Sequence, residues 1–548
     1  MIHSKEKKKS ELTFSIILTI LLIGFVGLIF YVNLSCNPSY YDADIYADID
    51  FAKQAWRAKS LFPQNWVFGN QTYVVATPVL AAVIYGAINN AVLAMGIASC
   101  VMTALIMLTY DWMMRPVFSY NERMTGFLFM AGLILIKDHI ATGIRGAQLF
   151  FTMASYYSCY IITAFIVYGC YIRIRQEKFL RKHIPMLIIA VALSFATGIQ
   201  SLRQMAVMVL PLVACEILEI IIDSVRRKRL SFSLSSGFTL AIFIFNLLGI
   251  FVMKRIHIEQ TSIFGETKIS FPHGVKELIS EVVTSLLNDV ISIFQGPDNP
   301  YMLNLILPSI SLLIILVAFV INLVKQIKEK KTEKYELTLN LALILGCASV
   351  FAISILTSLN SRNIYYFMIF PLLALSIASI VKAFKRVGFA AEYVIAVMVL
   401  SVLVYRGVGT VNEIKKGTDR DSEAYQIADY IKENGYDTLY YLSGFNWRYY
   451  PTGEDVIVAS GDSIYPIRMK SVCYWEETPI PEYLRVKDNY KTRSDEKSIY
   501  LFNEKDLKEA KVYCEKHGIE IREVAQIGER YLCRLSVNLL AFSEEKGK

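Results

Sequence analysis

Residues 12–34 read LTFSIILTILLIGFVGLIFYVNL, an apolar run without a charged side chain. An α-helix needs about 20 such residues to cross the roughly 30 Å of hydrocarbon in a bilayer. Similar runs recur along the 548-residue chain, of which 54% is hydrophobic and only 19% is charged. A mean hydropathy of +0.42 is far too high for a soluble protein of this length. The sequence therefore predicts a polytopic α-helical membrane protein with about 11 transmembrane helices.

The predicted spans are 12–34, 76–110, 124–137, 148–171, 184–201, 204–222, 233–253, 302–324, 337–357, 364–381 and 391–408. The run at 76–110 is longer than one span requires, so we expect it to be tilted or to include a re-entrant start. The first run has an apolar core too long for a signal peptide, and no A-x-A cleavage site follows it. A signal-anchor helix is therefore expected at 12–34.

Lysine and arginine are concentrated in alternate loops between these spans. They are Lys5, Lys7, Lys8, Lys9, Arg115, Arg123, Arg173, Arg175, Lys178, Arg181, Lys182, Arg226, Arg227, Lys228, Arg229, Lys325, Lys328, Lys330, Lys331, Lys334, Lys382, Lys385 and Arg386. Because cytoplasmic loops carry an excess of basic residues, this pattern predicts a cytoplasmic N-terminus (residues 1–11) and an extracytoplasmic C-terminus.

The composition changes near residue 409. Residues 12–408 form the predicted multi-spanning membrane domain, with outer loops at 35–75 and 254–300, and residues 409–548 form a predicted small extracytoplasmic α/β domain. In the second part we expect helices at 421–434 and 504–517, and strands at 437–443, 455–459, 499–502, 519–526 and 530–535. Apolar residues at helical spacing between 275 and 294 predict a helix that lies on the outer membrane surface or packs on its neighbours.

Residues 42–50 read DADIYADID and follow directly on the first span. A carboxylate near hydrocarbon is costly unless it is solvated, paired or used in function. The four aspartates of this stretch, Asp42, Asp44, Asp48 and Asp50, are therefore candidate functional residues. The alternative is that the stretch begins a surface helix, where negative charge is favourable at the N-terminus.

Three arginines are expected in short outer loops, where the positive-inside bias makes basic residues uncommon. Arg145 lies near His139 between the third and fourth spans, Arg203 between the fifth and sixth, and Arg362 before the tenth. A guanidinium binds phosphate bidentately and would stabilise a phosphate leaving group. Each arginine alone could instead reach lipid headgroups or pair with an outer carboxylate. Together on one face, they predict a shared anion site.

Four short motifs carry a resemblance to a known family. Residues 42–49, LFP at 61–63 and TPVL at 77–80 resemble the first outer loop and second span of GT-C glycosyltransferases. SRNIYY at 361–366, with Pro371, is similar to a late R-Y…P span of the same group. The resemblance is to the protein O-mannosyltransferase and lipid A aminoarabinose transferase group, and it extends to a many-spanning core followed by an external α/β domain.

The resemblance implies transfer of a sugar from a polyprenyl-phosphate donor to an extracytoplasmic glycan, lipid or protein, in a bacterial cell membrane. A single displacement would invert the anomeric carbon, with Asp44 or Asp42 as general base. Asp48 is expected near the acceptor, and Asp50 is expected to face water. The expected substrate-binding residues are Tyr46, Asp48, His139, Arg145, Arg203, Arg362, Tyr365 and Tyr366.

Three other functions are open from the sequence. A non-enzymatic surface receptor with a membrane anchor would hardly need eleven spans, although the external domain could bind a partner. A transporter or flippase would place ionisable residues near the bilayer midplane, but the predicted spans carry few charges, among them Glu216 and Glu219. A glycan polymerase or ligase would use the same kind of lipid-linked substrate with a different acceptor. No cofactor is expected and no metal-ligand cluster is recognisable, although a divalent ion stays open. No nucleic-acid partner is expected.

Overall fold

The computed structural model describes residues 2–41, 43–69, 71–137, 157–176, 183–228, 232–256, 258, 274–286, 293, 301–328, 334–356, 363–386, 391–442, 453–477, 479–480, 486 and 489–546. Helices dominate its first three quarters. In chain order they are α1 Ile2–Leu34, α2 Ala43–Ala58, α3 Thr77–Ile88, α4 Ala91–Met114, α5 Tyr120–Lys137, α6 Ser158–Arg175, α7 Ile184–Gln200, α8 Leu210–Arg227, α9 Leu234–Arg255, α10 Val275–Ser285, α11 Tyr301–Lys328, α12 Lys334–Leu356, α13 Ile369–Arg386 and α14 Ala391–Gly417. A π-helical turn, Met205–Val209, leads directly into α8.

Seven of the described helices are long and apolar enough to cross a membrane: α1, α4, α8 with its π-helical turn, α9, α11, α12 and α14. With the shorter α5, α6, α7 and α13, each of the eleven predicted spans has a matching helix. Large apolar side chains face outwards, for example Ile20 on α1 (62% exposed) and Val397 on α14 (64% exposed). Such faces are stable against lipid and costly in water. The predicted fold class, a multi-pass membrane protein, is confirmed.

The long apolar run at 76–110 forms two helices. Asn89 adopts a left-handed backbone (φ 52°) that ends α3, and the Asn90 side chain accepts a hydrogen bond from the Leu93 N–H (3.0 Å) to cap α4. With 12 residues, α3 is too short to cross a bilayer. Its first residue, Thr77, is hydrogen-bonded to Ser158 at the start of α6, and its last turn leads into the start of α4. Both ends of α3 therefore lie at one end of the bundle.

We name the end of the bundle that carries α2 and α3 the domain side, and the opposite end the basic side. On the basic side the charged termini of neighbouring helices pair. Arg175 of α6 lies 2.5 Å from Glu219 of α8 and Arg123 of α5 lies 2.5 Å from Asp111 of α4, while Lys382 of α13 pairs with Glu336 of α12. The described basic residues of the predicted cytoplasmic loops at 115–123, 173–175 and 382–386 thus share one end of the bundle.

The C-terminal part is an α/β domain. Its elements are α15 Glu423–Glu433, β1 Thr438–Leu442, α16 Glu454–Ala459, β2 Tyr465–Met469, β3 Ser498–Asn503, α17 Glu504–Lys516, β4 Ile521–Ile527, β5 Arg530–Leu535 and α18 Leu539–Lys546. The strand order is β2-β1-β3-β5-β4, with β1 parallel to both neighbours and β5 antiparallel to β3 and β4. As expected, α15 and α17 are followed by left-handed glycines, Gly435 (φ 76°) and Gly518 (φ 66°).

Three details of this domain differ from the sequence prediction, of which one is that α18 was not predicted. The strand predicted at 455–459 is wrong, because these residues form α16. Its β-branched run suggests a strand, but Glu454 and Asp455 stabilise the first turn of a helix, and Asp455 accepts a hydrogen bond from Arg530 (2.9 Å). The strand β2 was missed because it contains Pro466. Proline is tolerated there since β2 lies at the edge of the sheet.

The outer loop at 35–75 packs against this domain. Pro38–Tyr40, a short 3₁₀ turn, contacts α16, and Trp66 forms an isolated antiparallel bridge with Val486. The last membrane helix, α14, continues to Gly417, where Asn37 lies against its backbone. The C-terminal domain therefore lies on the domain side, beside α2.

The expected surface helix is present as α10, which covers 275–285 and packs on α12. Its apolar face remains outward, with Val275 75% exposed and Ile279 58% exposed. Contact of this face with the membrane surface stays a prediction.

Candidate active site

The acidic stretch forms the first half of α2, and its residues divide between two faces of the helix. Asp44 and Asp48 are four residues apart and so share one face. Tyr46, Asp50 and Lys53 lie on the opposite face, because each residue of a helix turns by about 100°. Asp44 lies in the first turn of α2, where the helix dipole favours a negative charge. The residue is half-buried.

Asp48 is fully buried and accepts a hydrogen bond from the hydroxyl of Tyr73 (2.7 Å). The ring of Tyr73 belongs to an aromatic cluster, with its centroid 4.6 Å from that of Phe51 and 6.2 Å from that of Phe68. A hydrogen bond in such a low-dielectric place is stronger than one in water. The contact therefore fixes α2 against the segment that contains Tyr73.

That segment is held in turn by the end of α7. The backbone N–H of Thr72 donates to the carbonyl of Gln200 (3.1 Å). The side-chain oxygen of Gln200 accepts from the backbone N–H groups of Val74 (3.2 Å) and Val75 (3.3 Å). Residues 72–75 are therefore bound to one buried glutamine rather than free to move as a loop.

Arg203 lies three residues beyond Gln200, between α7 and the π-helical turn. Its Nη1 donates to the side-chain oxygen of Gln71 (2.9 Å), which also accepts from the hydroxyl of Tyr160 (3.1 Å). The guanidinium lies 5.4 Å from the ring centroid of Tyr157 and 5.3 Å from that of Tyr365, within the range of cation–π attraction. Arg203 and Tyr365, two of the predicted substrate-binding residues, are thus brought together by the fold.

The carboxylate face of α2 and the Arg203 guanidinium meet the same short segment. Tyr73 contacts Asp48, and Gln71, two residues earlier, contacts Arg203. Three residues of chain span at most about 10 Å. The fold therefore packs the acidic helix and Arg203 against the same short segment, on the domain side of the membrane bundle.

The remaining predicted site residues have different outcomes. Tyr366 is buried in the hydrophobic core beside Phe367. Asp42, His139, Arg145 and Arg362 lie outside the described residues. Their predicted roles stay predictions.

The opposite face of α2 contacts the C-terminal domain. Tyr46 donates its hydroxyl proton to Asp462 Oδ1 (2.9 Å), and Lys53 Nζ lies 2.8 Å from the same oxygen. Lys53 also lies 3.5 Å from Asp50, whose side chain is only 17% exposed. The expectation that Asp50 faces water is therefore wrong, because the C-terminal domain covers this face of the helix.

Burial and neighbouring charges shift the pKa values of these groups. Burial raises the pKa of Asp50, although the ammonium of Lys53 lowers it in part. Burial by itself lowers the pKa of Lys53, but the carboxylates of Asp50 and Asp462 outweigh it, so the net shift is upwards. Burial, together with the charges of Asp462 and Asp50, raises the pKa of Tyr46. Lys53 is therefore a buried ammonium held between two carboxylates.

Sequence reasoning missed several of the groups that shape this site. They are Lys53, Gln71, Tyr73, Tyr157, Tyr160, Gln200 and Asp462. Only Lys53 could have been inferred from the local sequence, because it follows Asp50 by three residues and so lies beside it on a helix. The others are polar or aromatic residues whose partners are distant in sequence.

Comparisons with known proteins were made for the whole chain. No protein-family model and no curated protein matches it. Among solved structures, it is similar to ArnT from Cupriavidus metallidurans bound to undecaprenyl phosphate, with 11% identity and a TM-score of 0.39 over 94% of this chain and 98% of that one. The apo state of the same protein gives 10% identity and a TM-score of 0.36 over 95% and 99%.

The similarity in fold is distant. At these identities and TM-scores it does not carry a function to this chain.

Proposed function

We propose that this protein is an integral-membrane glycosyltransferase that moves a sugar from a polyprenyl-phosphate donor to an extracytoplasmic acceptor. One observation carries the proposal. The acidic face of α2 and the guanidinium of Arg203 contact Tyr73 and Gln71, two residues apart, at one end of a membrane bundle. In the proposed reaction, a carboxylate on this face takes the proton of the acceptor hydroxyl while the arginine binds the donor phosphate.

The reaction would be a single displacement. The acceptor hydroxyl attacks the anomeric carbon, its oxygen forms the new glycosidic bond, and the bond from that carbon to the phosphate oxygen breaks. Asp44, or Asp42 beside it, takes the hydroxyl proton as general base. The polyprenyl phosphate leaves with the electron pair of the broken bond, and Arg203 stabilises its charge. This course inverts the anomeric carbon, as the resemblance implies.

Asp44 is better placed than Asp48 to take a proton from the acceptor, because Asp44 is less buried. The Asp48 carboxylate is fully buried and already accepts from Tyr73, whereas Asp44 is half-buried at the start of the helix. We therefore assign Asp48 to holding α2 in place, and Asp44 to the proton transfer. Tyr46, which donates to Asp462, is assigned to the contact with the C-terminal domain.

A transporter is the less supported alternative. Glu216 accepts hydrogen bonds from Tyr171 (2.6 Å), Ser235 (3.0 Å) and Ser236 (2.6 Å). Glu219 pairs with Arg175. Both glutamates lie towards the basic side, and their carboxylates are hydrogen-bonded or paired with residues of neighbouring helices. This arrangement favours a role in joining helices over one in carrying an ion.

We propose no cofactor for the reaction. Among the described residues, no group of three or more His, Cys, Asp or Glu is placed to hold a metal ion. The chain is a multi-pass membrane protein, and we propose that its domain side is extracytoplasmic and its N-terminus cytoplasmic in a bacterial cell membrane. The basic residues gathered at the other end support this orientation.

The proposal is tested by Asp44→Asn and Asp42→Asn in vesicles supplied with polyprenyl-phosphate sugars. Loss of the general base should lower the transfer rate about 10²- to 10⁴-fold. Protein abundance should stay near that of the wild type, because a partly solvated carboxylate contributes little to stability. Asp421→Asn, which removes an exposed carboxylate of the C-terminal domain, is the control and should transfer normally. Full activity of the Asp42/Asp44 double variant would make the acidic stretch structural.

A further inference from the structure

A buried ionic contact joins α2 to the C-terminal domain on the face opposite Asp44. Lys53 Nζ lies 2.8 Å from Asp462 Oδ1, and the two side chains are only 7% and 12% exposed. Tyr46 donates to the same carboxylate, and Asp50 lies on the other side of the ammonium. These charges are satisfied within the protein, so the contact is built to hold two parts of the chain together.

The backbone holds Asp462 in a fixed position. Gly461 (φ 66°) and Asp462 (φ 65°) are both left-handed and follow directly on the end of α16. The N–H of Asp462 donates to the carbonyl of Ile457 (3.1 Å), and that of Gly461 donates to the carbonyl of Val458 (3.0 Å). A turn fixed in this way presents the carboxylate from a rigid support.

We propose that Asp462 is a positioning residue, through which the C-terminal domain sets the orientation of α2 and so of Asp44 on its other face. The inference rests on the proposed role of Asp44 as the base. A helix moves as a rigid body, and Lys53 lies nine residues, or about 13 Å, along α2 from Asp44. Loosening the contact at Lys53 therefore tilts or rotates the helix, which displaces the carboxylate at its start.

Other contacts keep the domain in place when this one is removed. Trp66 bridges to Val486, and Pro38–Tyr40 packs on α16. Loss of the Asp462 charge should thus loosen α2 without releasing the domain. This separates positioning from folding and makes the role measurable.

The test is Asp462→Asn in the full-length protein. Asparagine keeps the size of the side chain and tolerates the left-handed backbone, so only the charge is lost. We expect kcat for sugar transfer to fall about 10- to 100-fold, because small displacements of a reacting group have effects of this size. The KM for the polyprenyl-phosphate donor should change by less than about twofold, since Arg203 is untouched.

A second readout needs no substrate. Hydrogen exchange of the backbone amides at 49–55 in α2 should become faster in Asp462→Asn, while exchange in α7 should not change. Lys53→Arg in the otherwise wild-type protein keeps the positive charge next to Asp462, so exchange in α2 and kcat should both stay closer to wild type than in Asp462→Asn.

Asp506→Asn is the matched control. Asp506 is half-buried and accepts a hydrogen bond from the Asn503 side chain (2.6 Å), but it lies on α17, which packs on β3 and β5 within the C-terminal domain. The control should leave kcat and α2 exchange unchanged. An equal fall of kcat in the control would overturn the proposal, because a general loss of stability would then explain the effect.

The two measurements separate the inference from the function on which it rests. Unchanged α2 exchange in Asp462→Asn overturns the positioning role, whatever the transfer rate. Faster exchange supports the docking contact even if the wild-type protein transfers no sugar, and in that case only the proposed function fails. Faster exchange with a normal kcat overturns the link between docking and catalysis.

Discussion

The residues around Arg203 determine what its guanidinium can bind. Its guanidinium donates to Gln71. The ring centroids of Tyr157 and Tyr365 lie 5.4 Å and 5.3 Å from the guanidinium and 6.5 Å from each other. A planar guanidinium can contact aromatic rings and still offer further N–H groups to a phosphate, whereas an ammonium cannot use the same geometry. An arginine that only reaches lipid headgroups needs charge and length alone.

The two readings of Arg203 predict different results for Arg203→Lys. If Arg203 binds the donor phosphate, the change should raise the donor KM or lower kcat although the charge is kept. Arg115→Lys is the control, since Arg115 is 63% exposed on the basic side and pairs with Asp111. Donor dependence should be measured in vesicles at several donor concentrations. Unchanged kinetics in Arg203→Lys would remove the anion site from the proposal.

At the scale of elements, close packing of α7 on α9 holds the site together. Gly198 and Gly249 lie where the backbones of the two helices touch, and an added Cβ at either would overlap the backbone of the other helix. Ser194 donates to the carbonyl of Ile242 (3.0 Å), and Asn246 donates to that of Ser194 (2.7 Å). Small residues and interhelical hydrogen bonds of this kind promote the packing of helices in membranes. Gln200, which binds residues 72–75, is the last residue of α7.

Gly198→Ala should therefore damage both the fold and the site. Overlap with a neighbouring backbone typically costs about 1–3 kcal/mol of stability, and it should shift the end of α7. We expect a lower melting temperature in detergent and a slower transfer rate. Gly27→Ala is the control, because no described atom lies within 4 Å of a Cβ at Gly27 on α1. Equal behaviour of the two variants would contradict the packing argument.

At the scale of the whole molecule, charge separates the two ends of the bundle. The basic side gathers paired residues such as Arg175 with Glu219 and Lys382 with Glu336. The domain side carries α2, α3 and the α/β domain. One crossing for each of the eleven predicted spans, an odd number, would put the N-terminus and the C-terminal domain on opposite sides of a membrane.

This arrangement predicts where reporters will be active. A reporter fused after Lys548 should work only on the extracytoplasmic side, and one inserted in the loop at 325–335 should work only in the cytoplasm. The physical reason is the excess of basic residues in loops that stay in the cytoplasm. Paired alkaline phosphatase and fluorescent-protein fusions measure both positions. The reverse pattern would place Asp44 and Arg203 inside the cell and end the proposed function.

The sequence by itself determined the membrane fold, because hydrophobic runs of span length are a local property of the chain. It also determined most elements of the C-terminal domain, where periodicity and the helix-ending glycines Gly435 and Gly518 are local signals. It failed at 455–459, where the β-branched run outweighed the two acidic residues that begin α16.

Only the tertiary structure decided which polar groups meet. Tyr73 reaches Asp48, Gln71 reaches Arg203, and Lys53 reaches Asp462, which lies 409 residues further along the chain. No local period links such partners, because their contact depends on how whole helices and domains pack. For the same reason Asp50, which a local pattern predicts on a solvated helix end, is buried by a domain that follows more than three hundred and fifty residues later.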